Sequence, residues 1–344
     1  MRVLLTGHHG YIGSVCGPLL AQAGHDVVGL DSLLYRGCDL ASAPSASVPA
    51  LALDVRDVGP EQLEGFDAVV HLAALSNDPI GDFSPELTRE INYEATLSLA
   101  RAAREAGVRR FVFSSSCSMY GASSGDAVDE TAPLTPLSAY AESKVRSEEA
   151  LAELAGPDFA PVSMRNATAY GVSPRLRVDL VLNNLVGWAH TTGKVRIMSD
   201  GTPWRPLIHI EDISRATLAM LEAPEDAVRG EAFNVGRNSE NYQVRSLGDI
   251  VQEVVPSSEV EYAGSGDPDP RSYRVDFGKL ARAFPELELT WTARAGAKEL
   301  AGAYRDAGLT LEEFGGDRFT RLKRLRLLLD RGELDPTLRR REAA

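Results

Sequence analysis

Residues 3–14 read VLLTGHHGYIGS, an apolar run that ends in glycines at 7, 10 and 13. Val3, Leu4 and Leu5 suit a buried strand, and Gly13 opens a stretch with helical spacing. The pattern is G-x-x-G-x-x-G, one residue longer than the common dinucleotide fingerprint, with the same physical demands. Glycines let the backbone turn tightly and approach a pyrophosphate, and a helix start offers unpaired N–H groups and positive potential. On those grounds Gly7, Gly10 and Gly13, with Tyr11 and Ile12 between them, are candidate cofactor residues. A plain tight turn has the same composition, so the surrounding chain has to decide.

Asp31 ends a second apolar run, DVVGLD, at 26–31. A carboxylate there would hydrogen-bond both ribose hydroxyls of NAD and repel the 2′-phosphate of NADP. Arg36 nearby keeps NADP open as an alternative. Asp54 and Val55 follow a third strand, where Asp54 either reaches the adenine amino group or caps its own turn. Two further compact runs, DAVVHLAA and RRFVFSSS, have the apolar character of buried parallel strands. Helical patterns lie between the runs, at 12–28, 60–65, 84–106 and 139–155. Ser84 is the N-cap expected for the third, with Pro85 and Glu86 in its first turn and Gly107 as its stop. Such βαβαβ alternation predicts an α/β fold: a Rossmann-type, doubly wound parallel sheet covered by helices on both faces.

The second half is less regular. APVSMRN and EAFNVG still read as strands, but loops rich in Pro, Gly and Arg intervene at 173–180, 199–207 and 263–274. We therefore expect a Rossmann domain over 1–172 and a smaller interleaved substrate lobe over 173–308, with segments returning to the main sheet. A basic helical tail would then occupy 309–344. In that tail Phe319, Leu322, Leu325 and Leu329 form an apolar stripe, suited to docking on its own domain or on a partner.

The chain has 344 residues, 44% hydrophobic and 25% charged, as expected of a globular protein. A net charge of −13 argues against binding nucleic acid or an anionic membrane, both of which need a positive field. Cys16, Cys38 and Cys117 fit a reduced, cytoplasmic protein. No secretory-type leader or membrane-length apolar run is visible, and no His/Cys/Asp/Glu cluster has metal-ligand spacing.

Further along, SAYAESKVRSEEA at 138–150 sets Tyr140 and Lys144 four residues apart on one helical face. With the glycine loop, Asp31, VFSSSCSMYG and YAESK in this order, the chain resembles the extended short-chain dehydrogenase/reductase family, within it the nucleotide-sugar epimerase/dehydratase group. The resemblance runs from Met1 to roughly residue 300. It implies Tyr140 as general acid/base, with Lys144 lowering its pKa by charge and touching the nicotinamide ribose. It implies Ser116 as the partner of the reacting sugar oxygen, Leu72, Ala73 and Ala74 as the cofactor floor, and Asn92 as a further cofactor neighbour, although an asparagine in a helix can equally bridge to a loop.

For the substrate, a nucleotide-diphosphate sugar, the resemblance points to Ser76, Asn166, Asn184, Arg205 and Arg271, the two arginines on the diphosphate. Thr168 stands where the family has asparagine, and Arg175 and Arg177 are lesser candidates. His209 is expected to be a structural hydrogen-bonder. Helices 84–106 and 139–155 would pair in a homodimer.

Family dehydratases place Asp-Glu directly after the catalytic Ser/Thr, and decarboxylases keep a glutamate at the second position. Here Cys117 and Ser118 follow Ser116. The expected activity is therefore NAD-dependent epimerisation, at C4, through transient oxidation. A 4-ketoreductase uses the same residues in one direction and is the alternative. A non-catalytic dinucleotide sensor is a third reading, against which stands the retention of both Tyr140 and Lys144.

Overall fold

A computed structural model describes residues 1–41, 48–123, 125–262 and 271–341. Its centre is a seven-stranded parallel sheet. In spatial order the strands are Glu231–Val235, Ala160–Asn166, Arg110–Ser116, Ala68–His71, Arg2–Thr6, Asp26–Asp31 and Ala50–Ala52. The chain begins in Arg2–Thr6, runs outward to Ala50–Ala52, then crosses back to Ala68–His71 on the other side. That reversal leaves a crevice at the carboxyl ends of the two neighbouring strands, where such sheets bind ligands.

Alternation along the strands builds two cores. Val3, Leu5, Val70, Val162 and Phe233 face one side, packed with Cys16, Leu20, Ile213 and Met220. Leu4, Val69, Phe111 and Phe113 face the other, packed with Leu99, Ala103 and Leu151. Helices Gly13–Gln22 and Ile210–Glu222 lie together on the first side, so a segment from the second half completes the main sheet.

The smaller lobe has a three-stranded sheet of Asn241–Gln243, Trp204–His209 and Thr168–Tyr170, and a two-stranded one of Glu259–Tyr262 and Lys194–Ile197. A third core, including Leu182, Leu247, Leu300 and Phe319, fills it.

Several elements differ from expectation. The helix expected over 12–28 spans only Gly13–Gln22. Gly24 adopts φ +93° and the strand beside Arg2–Thr6 already starts at Asp26. The segment 84–106 is helical but not uniform: Pro85–Arg89 and Ala95–Glu105 flank a wider π turn at Glu90–Glu94. Ser84 does cap it, its hydroxyl accepting from Leu87 N at 3.4 Å. A short helix, Asp78–Phe83, precedes it, capped by Asn77, which accepts from Ile80 N at 2.9 Å. The segment 60–65 is a 3₁₀ turn over Pro60–Leu63, and the helix expected at 139–155 spans Ala139–Leu154. Of the loop 263–274, residues 263–270 lie outside the described residues.

The C-terminal segment docks on its own chain through helices Leu311–Gly315 and Arg321–Asp330. Phe319 and Leu325 are buried as the stripe predicts, while Leu322 and Leu329 are half-buried. Leu328, Leu334 and Leu338 complete the contact. Among the described residues no helix is long and apolar enough to cross a membrane, and no group of His, Cys, Asp and Glu could hold a metal ion.

Candidate active site

Two contiguous cavities open at the crevice. The first is a cleft of about 150 Å³ lined by Gly7, Gly10, Tyr11, Ile12, Gly13, Asp31, Asp54, Val55, Leu72, Ala73 and Ala74. Its geometry fits a dinucleotide. Gly7 has φ +73°, and a Cβ there would lie 2.8 Å from Ala73 N. A Cβ on Gly13 would lie 2.7 Å from His8 Cα. The backbones of the first and fourth strand ends therefore meet in a cradle that side chains would fill. Asp31 accepts from Leu33 N at 2.7 Å and His9 N at 3.1 Å at the cleft wall. Burial pushes its carboxyl up, against those two donors and the charges of His8 and Arg175. Arg36 is exposed and does not line the cleft.

Two expected cofactor residues have other work. Asp54 caps the turn Val55–Asp57, accepting from Arg56 N at 2.9 Å, and its carboxylate pairs with the Arg56 guanidinium at 2.7 Å. It borders the cleft in that paired state. Asn92 lines neither cavity. Its side chain is buried, accepting from Leu75 N at 2.8 Å and donating to Leu75 O at 3.1 Å and Ser143 Oγ at 3.2 Å. It straps the loop after the fourth strand to the helix Ala139–Leu154, the loop-bridging role open to an asparagine in a helix.

The second cavity, about 510 Å³, gathers Ser76, Ser116, Tyr140, Lys144, Asn166, Thr168, Asn184, Arg205 and Arg271. Tyr140 enters from the first turn of Ala139–Leu154, whose N-cap Ser138 accepts from Ala141 N at 3.1 Å. Lys144 is 3% exposed, and its Nζ donates to Ser114 O at 2.7 Å. That Nζ lies 5.8 Å from the Tyr140 ring centroid and 4.6 Å from that of Phe113.

The electrostatics depart from expectation. The Tyr140 phenol is pushed up to about 12, first by burial and then by the Asp78 charge, with Ser116 and Arg177 opposing. Burial pulls Lys144 down to about 7, against the Glu148 carboxylate. The lysine therefore does not hold the phenol low here: its Nζ is spent on a carbonyl, and removal from water disfavours the charged form of both groups.

Arg205 Nη1 donates to Trp204 O at 2.8 Å and to Arg271 O, and Arg271 pairs with Asp78. Asn184 holds Val178 O at 2.9 Å, and Asn166 donates to Ser114 Oγ at 3.1 Å. Arg175 pairs with Asp39 and touches the His9 ring, away from the second cavity. His209 contacts Glu299 at 2.9 Å and stacks on Trp291 with centroids 3.8 Å apart.

Arg177 borders both cavities. It is 6% exposed, donates to Ser76 O at 3.2 Å and pairs with Asp179 at 2.9 Å. Also in the cofactor cleft are Tyr35, Arg321 and Leu338, which sequence reasoning missed. No local motif marks them, and only the docking of the C-terminal segment brings the last two there.

Beside Ser116, Cys117 is buried and donates to Arg165 O at 3.0 Å, while Ser118 lines the cavity. The carboxylates lining the cavity among the described residues, Asp78 and Asp179, are each paired with an arginine. The Arg177 charge and hydrogen bonds hold Asp179 below the usual carboxylate range despite its burial. Asp179 is therefore not placed as a proton-donating carboxylic acid near neutral pH.

A family model described as the NAD dependent epimerase/dehydratase family matches residues 3–236. The chain is 32% identical over 287 residues to a UDP-glucose 4-epimerase of Corynebacterium glutamicum, covering 78% of this chain and 85% of that one. It superposes on MoeE5 in complex with UDP-glucuronic acid and NAD at TM-score 0.76 and 27% identity, covering 89% of this chain and 100% of that one. It also resembles the UDP-glucuronic acid 4-epimerase of Bacillus cereus, seen with UDP-glucuronic acid and NAD, at TM-score 0.76 and 25% identity; coverage is 89% and 99%. By sequence, fold and cofactor cradle together, the chain belongs to the NAD dependent epimerase/dehydratase family.

Proposed function

We propose that this protein is an NAD-dependent epimerase that inverts C4 of a nucleotide-diphosphate sugar, working in the cytoplasm as a homodimer. The observation that carries the reading is the cavity itself. Tyr140, Lys144 and Ser116 share it next to the cofactor cleft, and the carboxylates lining it among the described residues are paired with arginines. Acid–base chemistry at a hydroxyl has its groups there, whereas expulsion of water or loss of carbon dioxide lacks the extra acid. The relatives' names, UDP-glucose 4-epimerase and UDP-glucuronic acid 4-epimerase, favour C4 and a uridine nucleotide.

NAD, held by the Gly7–Gly10–Gly13 cradle and Asp31, would supply the acceptor and donor for a hydride of the sugar carbon. The chain's part is to move one proton and hold the sugar. Tyr140 Oη, its own proton passing to the neutral Lys144 amine, takes the proton of the C4 hydroxyl as that carbon becomes a ketone, and both protons return after the ketone has turned over. Ser116 orients the reacting oxygen. Arg205 and Arg271 bind the diphosphate as a pivot, so that either face of the ring can be presented.

C4-deuterated UDP-glucose and UDP-glucuronic acid test this. Proton NMR should show a C4 epimer that keeps its deuterium, with no net NADH formed. Substrate reduction matched by equal consumption of NADH or NADPH would instead make the protein a ketoreductase. The homodimer is supported by the family habit of pairing the helices at 84–106 and 139–155. Equilibrium sedimentation should give twice the mass of one chain, and a single-chain mass at micromolar concentration would sink it.

A further inference from the structure

We propose that Arg321, supplied by the C-terminal segment, is a cofactor-binding residue whose guanidinium meets the diphosphate of NAD. The residue is 2% exposed and lines the cofactor cleft with Gly10, Tyr11 and Gly13. Its Nη2 donates to Arg175 O at 2.8 Å, and its guanidinium lies 4.2 Å from the Tyr35 ring centroid. Its Nη1 is buried without a hydrogen-bond partner among the described residues, and none of their carboxylates pairs with it. A buried cation in that condition is costly unless an anion completes it. The neighbouring Arg177 already has Asp179, so the unmet demand falls on Arg321.

The chemistry of the cleft identifies the anion. Its glycine cradle and helix start suit a diphosphate. The adenine and ribose are neutral, and the ribose side carries Asp31. An arginine fork bonds phosphate oxygens two at a time.

The segment is built to hold this group in place. Leu325, Leu328, Leu334 and Leu338 form a small core with Leu75, Ile80 and Ile91 at the cleft edge. Beyond it, Arg56 Nη1 donates to Thr337 O at 2.9 Å, Arg339 Nη2 to Asp57 at 2.9 Å, and Arg340 Nη2 to Leu33 O at 2.7 Å. The segment thus ties together the loops after the second and third strands, which flank the adenosine half of the site. An enzyme that recycles its cofactor without releasing it gains from such a strap.

Arg321→Met keeps the packing volume and removes the charge. NAD affinity by calorimetry should fall roughly 10- to 100-fold, the usual range for a charge-assisted hydrogen bond. ADP-ribose should weaken equally, while adenosine, which has no phosphate, should bind as before. The melting temperature of the NAD-free protein should stay level or rise, since an unpaired buried charge has gone. Arg321→Lys should restore most of the affinity. An unchanged Kd for NAD, or an equal loss for adenosine, overturns the assignment. Wild-type amide exchange checks it without any variant: NAD should slow exchange across 321–330, and unchanged exchange there also overturns it.

Discussion

Tyr140→Phe lowers kcat about 1,000-fold and leaves NAD bound at wild-type occupancy. The size is that of a lost general acid/base, roughly 10²- to 10⁴-fold. The substitution removes one oxygen and keeps the ring. The Tyr140 backbone packs against Gly81, where a Cβ would lie 2.9 Å from Tyr140 N, so the backbone there has no freedom to shift. Both NAD content and melting temperature should therefore stay level, and a fall in either would mean that the loss was not chemical.

The pH profile of the wild-type protein adds a sign. With Tyr140 near 12 and Lys144 near 7, the two groups together hold one proton between those values and two below about 7. A proton leaving the sugar needs an empty place, so kcat/KM should rise with pH through about 7 and vanish with it in the Phe variant. Retention of more than a tenth of wild-type kcat by Tyr140→Phe would remove the tyrosine from the chemistry.

What could be foreseen and what could not divides along a physical line. Gly7 and Gly13 were legible because a turn and a close approach need a missing Cβ, and the spacing records that need. Tyr140, Lys144 and Ser116 were legible as a family pattern, and they line one cavity. Asn92 had two readings, cofactor neighbour or bridge to a loop, because an asparagine's partners are set by tertiary neighbours. Its amide was claimed by Leu75 and Ser143, which are distant in sequence. The Lys144 charge was misjudged for a related reason, since spacing says that two side chains meet but not how much water surrounds them. Arg321 carried no signal at all. It lies among the basic residues of a tail whose apolar stripe foretold docking but not where, and only the leucines of its own helix, packed on Leu75, Ile80 and Ile91, carry it into the cleft. The break in 84–106 belongs with Asn92, which sits inside the π turn while strapping the neighbouring loop.

The second large effect concerns stability. Glu148→Ala should lower the unfolding free energy by roughly 3–5 kcal/mol, the usual result of removing one partner from a buried ion pair. Glu148 lies one turn beyond Lys144 and accepts from Arg165 Nε at 3.0 Å and Nη2 at 2.8 Å, with both side chains under a tenth exposed. Arg165 Nη1 also donates to Tyr120 Oη at 3.0 Å, and that hydroxyl donates to Asn234 Oδ1 at 2.7 Å. The network thus joins the catalytic helix to strands Ala160–Asn166 and Glu231–Val235. Without Glu148 the guanidinium is left uncompensated in the core. Adding Arg165→Leu should recover much of the loss, because removing both charges avoids leaving one behind. Urea midpoints of the two single variants and the double variant measure this coupling. A single-variant loss below about 1 kcal/mol, or strictly additive losses, would show that the pair is not held as a unit. The same substitution reaches the active site. The Glu148 carboxylate is the charge that resists the fall of the Lys144 pKa. Its removal should therefore move the rise of kcat/KM to lower pH, coupling the helix's anchor to the proton inventory of the Tyr140–Lys144 pair.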